Sequence, residues 1–490
     1  MRAMLKRYTS ECRSRGLLGP ALAAVFALSL CLASRASAAD ASCEAFSLSA
    51  AAAGAGAGPA AGALDTPGVQ PAAPPRLDPK LVQNQGVDGA IIRIPEGRQP
   101  AVMNRASGEA LLVLPKLPSG KLADDFTLGA GAKIVDSFWS PVLCATIVRV
   151  RGPRDATPQD LLPRVAPPAL VLPHSRYRTS AAKVRAAAPP KTQGPDPYLP
   201  FQLGLAQLGV MQARGRTDGH GVRVALLDSA PDVTHRELVR VRVLPLEGGP
   251  PAAPALHGTL MAGLIAAIEN NAFGIVGVAP GADLVAIPVC TPVGDGSSDE
   301  CDLYDVLRGI DEAWKQEATI LNLSLAGPPD PLLQRAVTRL LELGAVVVAA
   351  AGNGGSSLPT YPAAYPGVVG VGALDPSGQP FAQGNHGPWV SLSGPGVEVL
   401  STTPGNSFAF VNGTSLAAAQ VSGELALLTS VVPDTVRMRM ALLATARGTL
   451  VPASAEKDSP ASAEAPRAPT VCDVLKDLGQ SCDGSGTSQP

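Results

Sequence analysis

Between residues 222 and 444, short apolar runs alternate with helical patterns, and this alternation narrows the fold more than any other feature. Strand candidates cover 222–227, 284–289, 319–323, 345–350, 368–371 and 389–392. Helix candidates begin near His257, run over 302–316 and 331–341, and close the region near 415–428 and 436–444. Short runs apolar throughout, lying between helices, suit strands buried on both faces. The expected fold class is therefore α/β, a mostly parallel central sheet with helices on both sides. In such sheets functional groups gather in loops beyond the carboxyl ends of the strands. Asp228 follows one such strand and Asn353 another.

Outside this region composition decides. Positive residues up to Arg15, an apolar run over 17–32 and the small residues Ala36-Ser37-Ala38 make residues 1–38 an expected export signal. Leu30 argues against lipid attachment at Cys31, and no other uninterrupted apolar run is long enough to span a membrane. Residues 39–84 are rich in Ala, Gly and Pro and read as a flexible leader. Residues 85–178 carry strand candidates at 110–114, 132–135 and 144–150 and a short helix candidate over 160–172, so they suggest a small α+β unit. Residues 179–196 read as an exposed linker suited to proteolysis, and 448–490 as a low-complexity tail apart from the patch between Cys472 and Cys482. With 39 basic and 41 acidic side chains, the chain offers no basic footprint for nucleic acid. In an exported chain Cys290 with Cys301, and Cys472 with Cys482, would close short loops as disulfides; buried thiols are the alternative.

Three stretches carry the chemistry. Asp228 ends a strand, His257 opens an apolar helix, and Ser415 stands where Asn412-Gly413-Thr414 turns into an Ala/Leu-rich helix. A serine there has its hydroxyl near free N–H groups and the positive end of a helix dipole, a setting that favours an oxyanion. Taken singly, Asp228 reads as a turn residue, His257 and Ser415 as helix caps, and Asn353 as a loop residue beside Gly352. In the order Asp, His, Ser they suggest a hydrolase.

With these motifs the region 197–447 resembles the catalytic domain of the subtilase family, the subtilisin-like serine proteases. The blocks are Val224-Ala225-Leu226-Leu227-Asp228-Ser229, His257-Gly258-Thr259-Leu260-Met261-Ala262-Gly263 and Asn412-Gly413-Thr414-Ser415-Leu416-Ala417. Gly274 to Pro280, Leu321-Asn322-Leu323-Ser324-Leu325 and Ala350-Ala351-Gly352-Asn353 add to them. The resemblance implies a subtilisin-like three-layer fold with a mostly parallel central sheet, preceded by a small α+β propeptide-like domain over 85–178. It implies Asp228, His257 and Ser415 as catalytic triad and Asn353 as an oxyanion donor. It also implies substrate contacts from Ser324, Leu325, Ala326 and Gly327 on one wall, with Ala351 and Gly352 on the other. Neither wall holds an acidic side chain and Gly354 follows Asn353, which favours an apolar P1 residue over Lys or Arg.

The expected partners are polypeptide substrates and the chain's own N-terminal propeptide, cut within the 179–196 linker. No cofactor is required, and a structural calcium ion with Asp232 among its ligands is open, as in some relatives. His235 reads as structural. Ala230, Ala326, Leu260 and Ala419-Gln420 depart from the family pattern without removing a proton carrier or oxyanion donor. The function expected is an exported, self-processed serine endopeptidase acting through an acyl-enzyme. The alternative is a non-catalytic secreted binding or assembly module on the same fold. An esterase is disfavoured because Gly413-Thr414-Ser415-Leu416-Ala417 lacks the last glycine of a Gly-x-Ser-x-Gly elbow and the triad order differs.

Overall fold

Alternate residues of one strand enter two different cores, which makes the architecture three-layered. In the strand Arg223–Asp228, Val224 and Leu226 join one apolar cluster, while Ala225 and Leu227 join another. The computed structural model describes residues 105–114, 128–129, 131–161, 170–180, 182–188, 194–294, 296, 298–447 and 466–482. The expected export signal and leader lie outside the described residues.

The described chain opens with β1 (Arg105–Leu114), β2 (Lys133–Ser140), β3 (Ala145–Arg151), β4 (Leu170–Ser180) and β5 (Ala182–Ala186). Two short helices, α1 (Leu203–Gln207) and α2 (Val210–Ala213), lead into the larger unit. That unit continues with β6 (Arg223–Asp228), β7 (Arg242–Val243), α3 (Leu256–Ala266), β8 (Asp283–Pro288), β9 (Cys290–Val293), β10 (Ser298–Asp302) and α4 (Leu303–Lys315). Next come β11 (Ile320–Leu323), α5 (Pro331–Glu342), β12 (Val346–Ala350), β13 (Val369–Leu374) and β14 (Leu392–Pro395). The hairpin β15 (Val399–Thr403) and β16 (Ser407–Asn412) then precedes α6 (Thr414–Val431), α7 (Thr435–Ala446) and α8 (Val471–Asp477).

The central sheet has seven strands in the order β14-β13-β12-β11-β6-β8-β7, every neighbouring pair parallel. One face packs on α3 and α6, the other on α4 and α5. The helix α5 begins where Asp330 caps the Leu332 and Leu333 amides and Pro331 fills the first turn, which needs no N–H. Its Leu332, Leu333, Ala336, Val337 and Leu340 then form a single buried stripe. From Thr414 through Thr429, α6 is buried on every side, so it is a core helix and not a surface one.

The preceding unit differs from expectation in extent. Strands β1 to β4 form an antiparallel sheet that runs on through β10 and β9, in the order β2-β3-β1-β4-β10-β9. Residues 170–172 are strand and not helix; among the described residues of 160–172 the helical turn is the end of Pro158–Leu161. The 179–196 linker is corrected too. Thr179 and Ser180 complete β4, Thr179 is buried, and β5 pairs with β16. At the patch set apart within the 448–490 tail, Val471, Cys472, Val474 and Leu475 of α8 pack into the core beside α6. Disulfides join Cys290 to Cys301, tying β9 to β10, and Cys472 to Cys482.

Candidate active site

Asp228 is the last residue of β6 and has no exposed surface. Its Oδ1 accepts the Ser229 N–H at 2.7 Å, which fixes the carboxylate against its own backbone. The His257 Nδ1 lies 2.9 Å from each carboxylate oxygen. His257 is in the first turn of α3, and the helix start is stitched to the loop after β6. Ala255 N–H donates to Ala230 O at 2.8 Å, and Gly258 N–H to Ser229 Oγ at 3.1 Å. Burial pushes the His257 imidazole toward neutrality, but the charge and hydrogen bond of Asp228, with the charge of Asp299, lift its pKa above the ordinary value.

The approach of α3 to this loop depends on Gly258, where an added Cβ would stand 1.9 Å from Ser229 O. Gly258→Ala is expected to cost about 1–3 kcal/mol through backbone displacement. The displacement also moves His257 from Asp228, so turnover falls with the denaturation midpoint. Denaturant titration beside peptide hydrolysis checks both.

Ser415, 3% exposed, sits in the first turn of α6. Its hydroxyl donates to Ser324 O at 3.3 Å, and Ser324 Oγ donates back to Ser415 O at 3.2 Å. The structure thus joins Asp228 to His257 and Ser415 to Ser324, while the buried His257 Nε2 has no hydrogen-bond partner. Asn353 lies beyond β12, and its Oδ1 accepts from Thr414 N–H at 3.0 Å and Thr414 Oγ1 at 3.1 Å. That fixes the amide by its oxygen end, one residue from Ser415. Gly352 has φ +94°, and a Cβ there would meet Asn385 Nδ2 at 2.6 Å, so only glycine fits the turn. Asn385, which sequence reasoning missed, holds this loop. It donates to Ala351 O at 2.9 Å and accepts from Gly354 and Ser356 N–H.

The expected wall at Ala326 and Gly327 is met by the chain's own β4. Arg178 of β4 exchanges backbone hydrogen bonds with Ala326 at 3.0 and 2.9 Å, while its other edge pairs with β10. Tyr177 is wholly buried, and its ring lies where a Cβ on Gly327 would be, 2.4 Å from Cδ1. Leu325 is buried below, in the core.

Residues 219–465 match the model of the subtilase family, about half the chain. The subtilisin of Bacillus pumilus is 36% identical over 244 residues, which cover 48% of this chain and 86% of that protein. The chain belongs to the subtilase family. Subtilisin E of Bacillus subtilis (strain 168) is 37% identical over 244 residues, and the chain spans 62% of its length. The fold is shared with fervidolysin from Fervidobacterium pennivorans, described as a keratinolytic enzyme related to subtilisin. That structure gives a TM-score of 0.59 at 24% identity and covers 78% of this chain and 62% of its own.

Within this subtilase the family blocks account for Asp228, His257, Asn353 and Ser415, but not for Asp299 of β10. Among the described residues, Asp228, His257 and Asp299 form the only cluster with metal-ligating atoms all within 4.8 Å of one another. Two of the three already bond to each other. Asp232 is occupied by donors: Oδ1 accepts from Thr234 N–H and Oγ1, and Oδ2 from Gly405 N–H at 2.8 Å. These bonds pin the Thr234 and Gly405 loops to one carboxylate. His235 is buried against Phe273 and Phe408.

Proposed function

We propose that the chain is an exported serine endopeptidase that hydrolyses peptide bonds through Asp228, His257 and Ser415 and cuts its own N-terminal segment away. The observation that carries this reading is the Asp228–His257 hydrogen bond, buried and made at Nδ1. It leaves Nε2 as the nitrogen that accepts a proton.

The reaction starts when the Ser415 hydroxyl turns from the Ser324 carbonyl to Nε2. His257 takes the proton as Ser415 Oγ attacks the substrate carbonyl carbon. The oxyanion so formed accepts from the Ser415 N–H and the Asn353 amide. The tetrahedral centre collapses to an acyl-enzyme, and the amine leaves with the proton held by His257. A water then repeats the sequence and frees Ser415. No cofactor enters these steps.

The strand β4 at the Ala326 wall supports self-cleavage. Antiparallel register carries Arg178 opposite Ala326 to Ser180 opposite Ser324, whose carbonyl accepts from Ser415. The bond after Ser180 is therefore the proposed cut, with Ser180 as P1, Thr179 as P2 and Tyr177 as P4. Ser180 is small and uncharged, as walls without acidic side chains require; an apolar P1 remains the preference proposed for other substrates. The Cys290–Cys301 disulfide agrees with an oxidising destination.

A serine-directed fluorophosphonate tests the reading. Wild type is expected to label and to yield a new N-terminus at Ala181. Absence of label on wild type would leave the fold as a binding module and overturn the enzyme assignment.

A further inference from the structure

We propose that Asp299 selects the substrate residue second before the scissile bond, favouring side chains that carry a hydroxyl or ammonium donor. This rests on the protease reading and on the register that makes Thr179 that residue. Strand β10 is the edge on which β4 lies, and Asp299 stands opposite Thr179. Directly opposed residues of an antiparallel pair face the same side of the sheet. Thr179 Oγ1 accepts the Asp299 N–H at 3.1 Å, and both residues are buried. Neither carboxylate oxygen of Asp299 has a hydrogen-bond partner. A third titratable group thus lies beside the Asp228–His257 pair, opposite β4.

A carboxylate buried without donors is unfavourable. Burial, then the charge of Asp228, push the Asp299 pKa up, against His257 and the hydroxyls of Ser229 and Thr179. The titratable groups acting on it come from β6 (Asp228) and α3 (His257); β4 brings only a hydroxyl. The imidazole is already committed to Asp228 at Nδ1. The Ser229 hydroxyl is turned to Asp228 Oδ1 at 3.2 Å, and Thr179 stands where a substrate side chain would, so a substrate side chain is the further source of donors. Threonine, serine, lysine or arginine would supply one, whereas leucine or alanine would seal the carboxylate unpaired. Sites built to hydrogen-bond a substrate group reject analogues that lack it more strongly than apolar pockets reject a missing methylene. Asp299 has a second effect, because its charge also raises the His257 pKa.

The test uses the self-processed enzyme and peptides identical except at that position, bearing Lys, Thr, Leu or Ala. Lys and Thr peptides are expected to show kcat/KM about ten- to a hundredfold above Leu and Ala peptides. Asp299→Asn is expected to remove the Lys advantage and shift the acidic limb of the pH–rate profile to lower pH. Asp299→Ala is expected to bring all four peptides within about threefold of one another. Equal cleavage of the four by wild type, or an unchanged spread in both variants, would overturn the proposal. Fluorophosphonate labelling separates the levels: variants that label as wild type are folded and competent. A wild type that does not label sinks the protease reading and this inference together.

Discussion

Ser415→Ala is expected to lower peptide hydrolysis roughly 10⁶-fold and to leave the precursor uncut at Ser180. The size of the effect follows from the chemistry. Without Oγ no acyl-enzyme forms, and what remains is stabilisation of direct water attack by the oxyanion donors and the groove. The fold should be undisturbed, because the hydroxyl makes one hydrogen bond, to Ser324 O at 3.3 Å. The neighbouring Thr414 contacts that position Asn353 are independent of it. Asp228→Asn separates the roles further: about 10⁴-fold is expected, because an amide favours the wrong imidazole tautomer. The measurement is progress of peptide hydrolysis beside N-terminal sequencing of the expressed chains. Self-cleavage of the Ser415→Ala chain at the wild-type rate would remove Ser415 from the mechanism.

The sheet and the places of three proposed site residues on it were legible because the relevant signals are local. An apolar run such as Val346–Ala350 is buried on both faces whatever surrounds it, and Asp228, His257 and Ser415 each sit in a short block of fixed pattern. What escaped depends on distant partners. The strand β10 contains Asp299, Glu300 and Asp302 in five residues and reads as a loop. It is a strand because β4 covers one edge and the Cys290–Cys301 disulfide fastens β9 to the other. Residues 179–186 read as linker from their Ala, Lys and Arg content, yet two unpaired edges, β10 and β16, are available to receive them. The β15–β16 hairpin did have a sequence signal, the turn Pro404-Gly405-Asn406 between short β-prone runs. Asn385 and Asp299 had none, since each matters only through what it meets in space.

Release of the cut segment is expected to be driven by rising pH. His174 of β4 is wholly buried between a carboxylate of its own unit and one of the catalytic unit. Its Nδ1 lies 2.8 Å from Glu109 Oε2, and its Nε2 lies 3.2 Å from Asp302 Oδ1. Arg149 bridges the same two carboxylates, at 3.2 and 3.3 Å. Burial lowers the His174 pKa, but the hydrogen bonds to Asp302 and Glu109 and the charge of Asp302 outweigh it, against Arg149, and leave the pKa raised. Docking therefore takes up a proton, and this contribution is complete below the ordinary value of 6.5 and lost as pH climbs through the raised one. A second group acts in the same direction. Asp311 of α4 accepts from Ser140 Oγ at 3.0 Å and Val142 N–H at 3.2 Å, both from the docked unit. Burial pushes its pKa from 3.8 up to about 7, so ionisation across that range weakens docking progressively. Asp302 opposes them only in acid. Burial raises its pKa, but His174 and Arg149 more than reverse this, so the docking it supports is lost as pH falls below the ordinary carboxylate range. The complex should be tightest near mild acid, with affinity falling about tenfold or more between pH 5.5 and 9 through Asp311 and further in the same direction through His174. Size-exclusion chromatography of the cleaved pair at each pH, with fluorophosphonate titration of free active sites, measures this. His174→Gln should flatten the upper part of the profile, and Asp311→Asn the lower part, where an amide oxygen still accepts from Ser140 without ionising. Dissociation that is independent of pH, or profiles unchanged in both variants, would show that these buried groups keep their protonation states when the segment leaves.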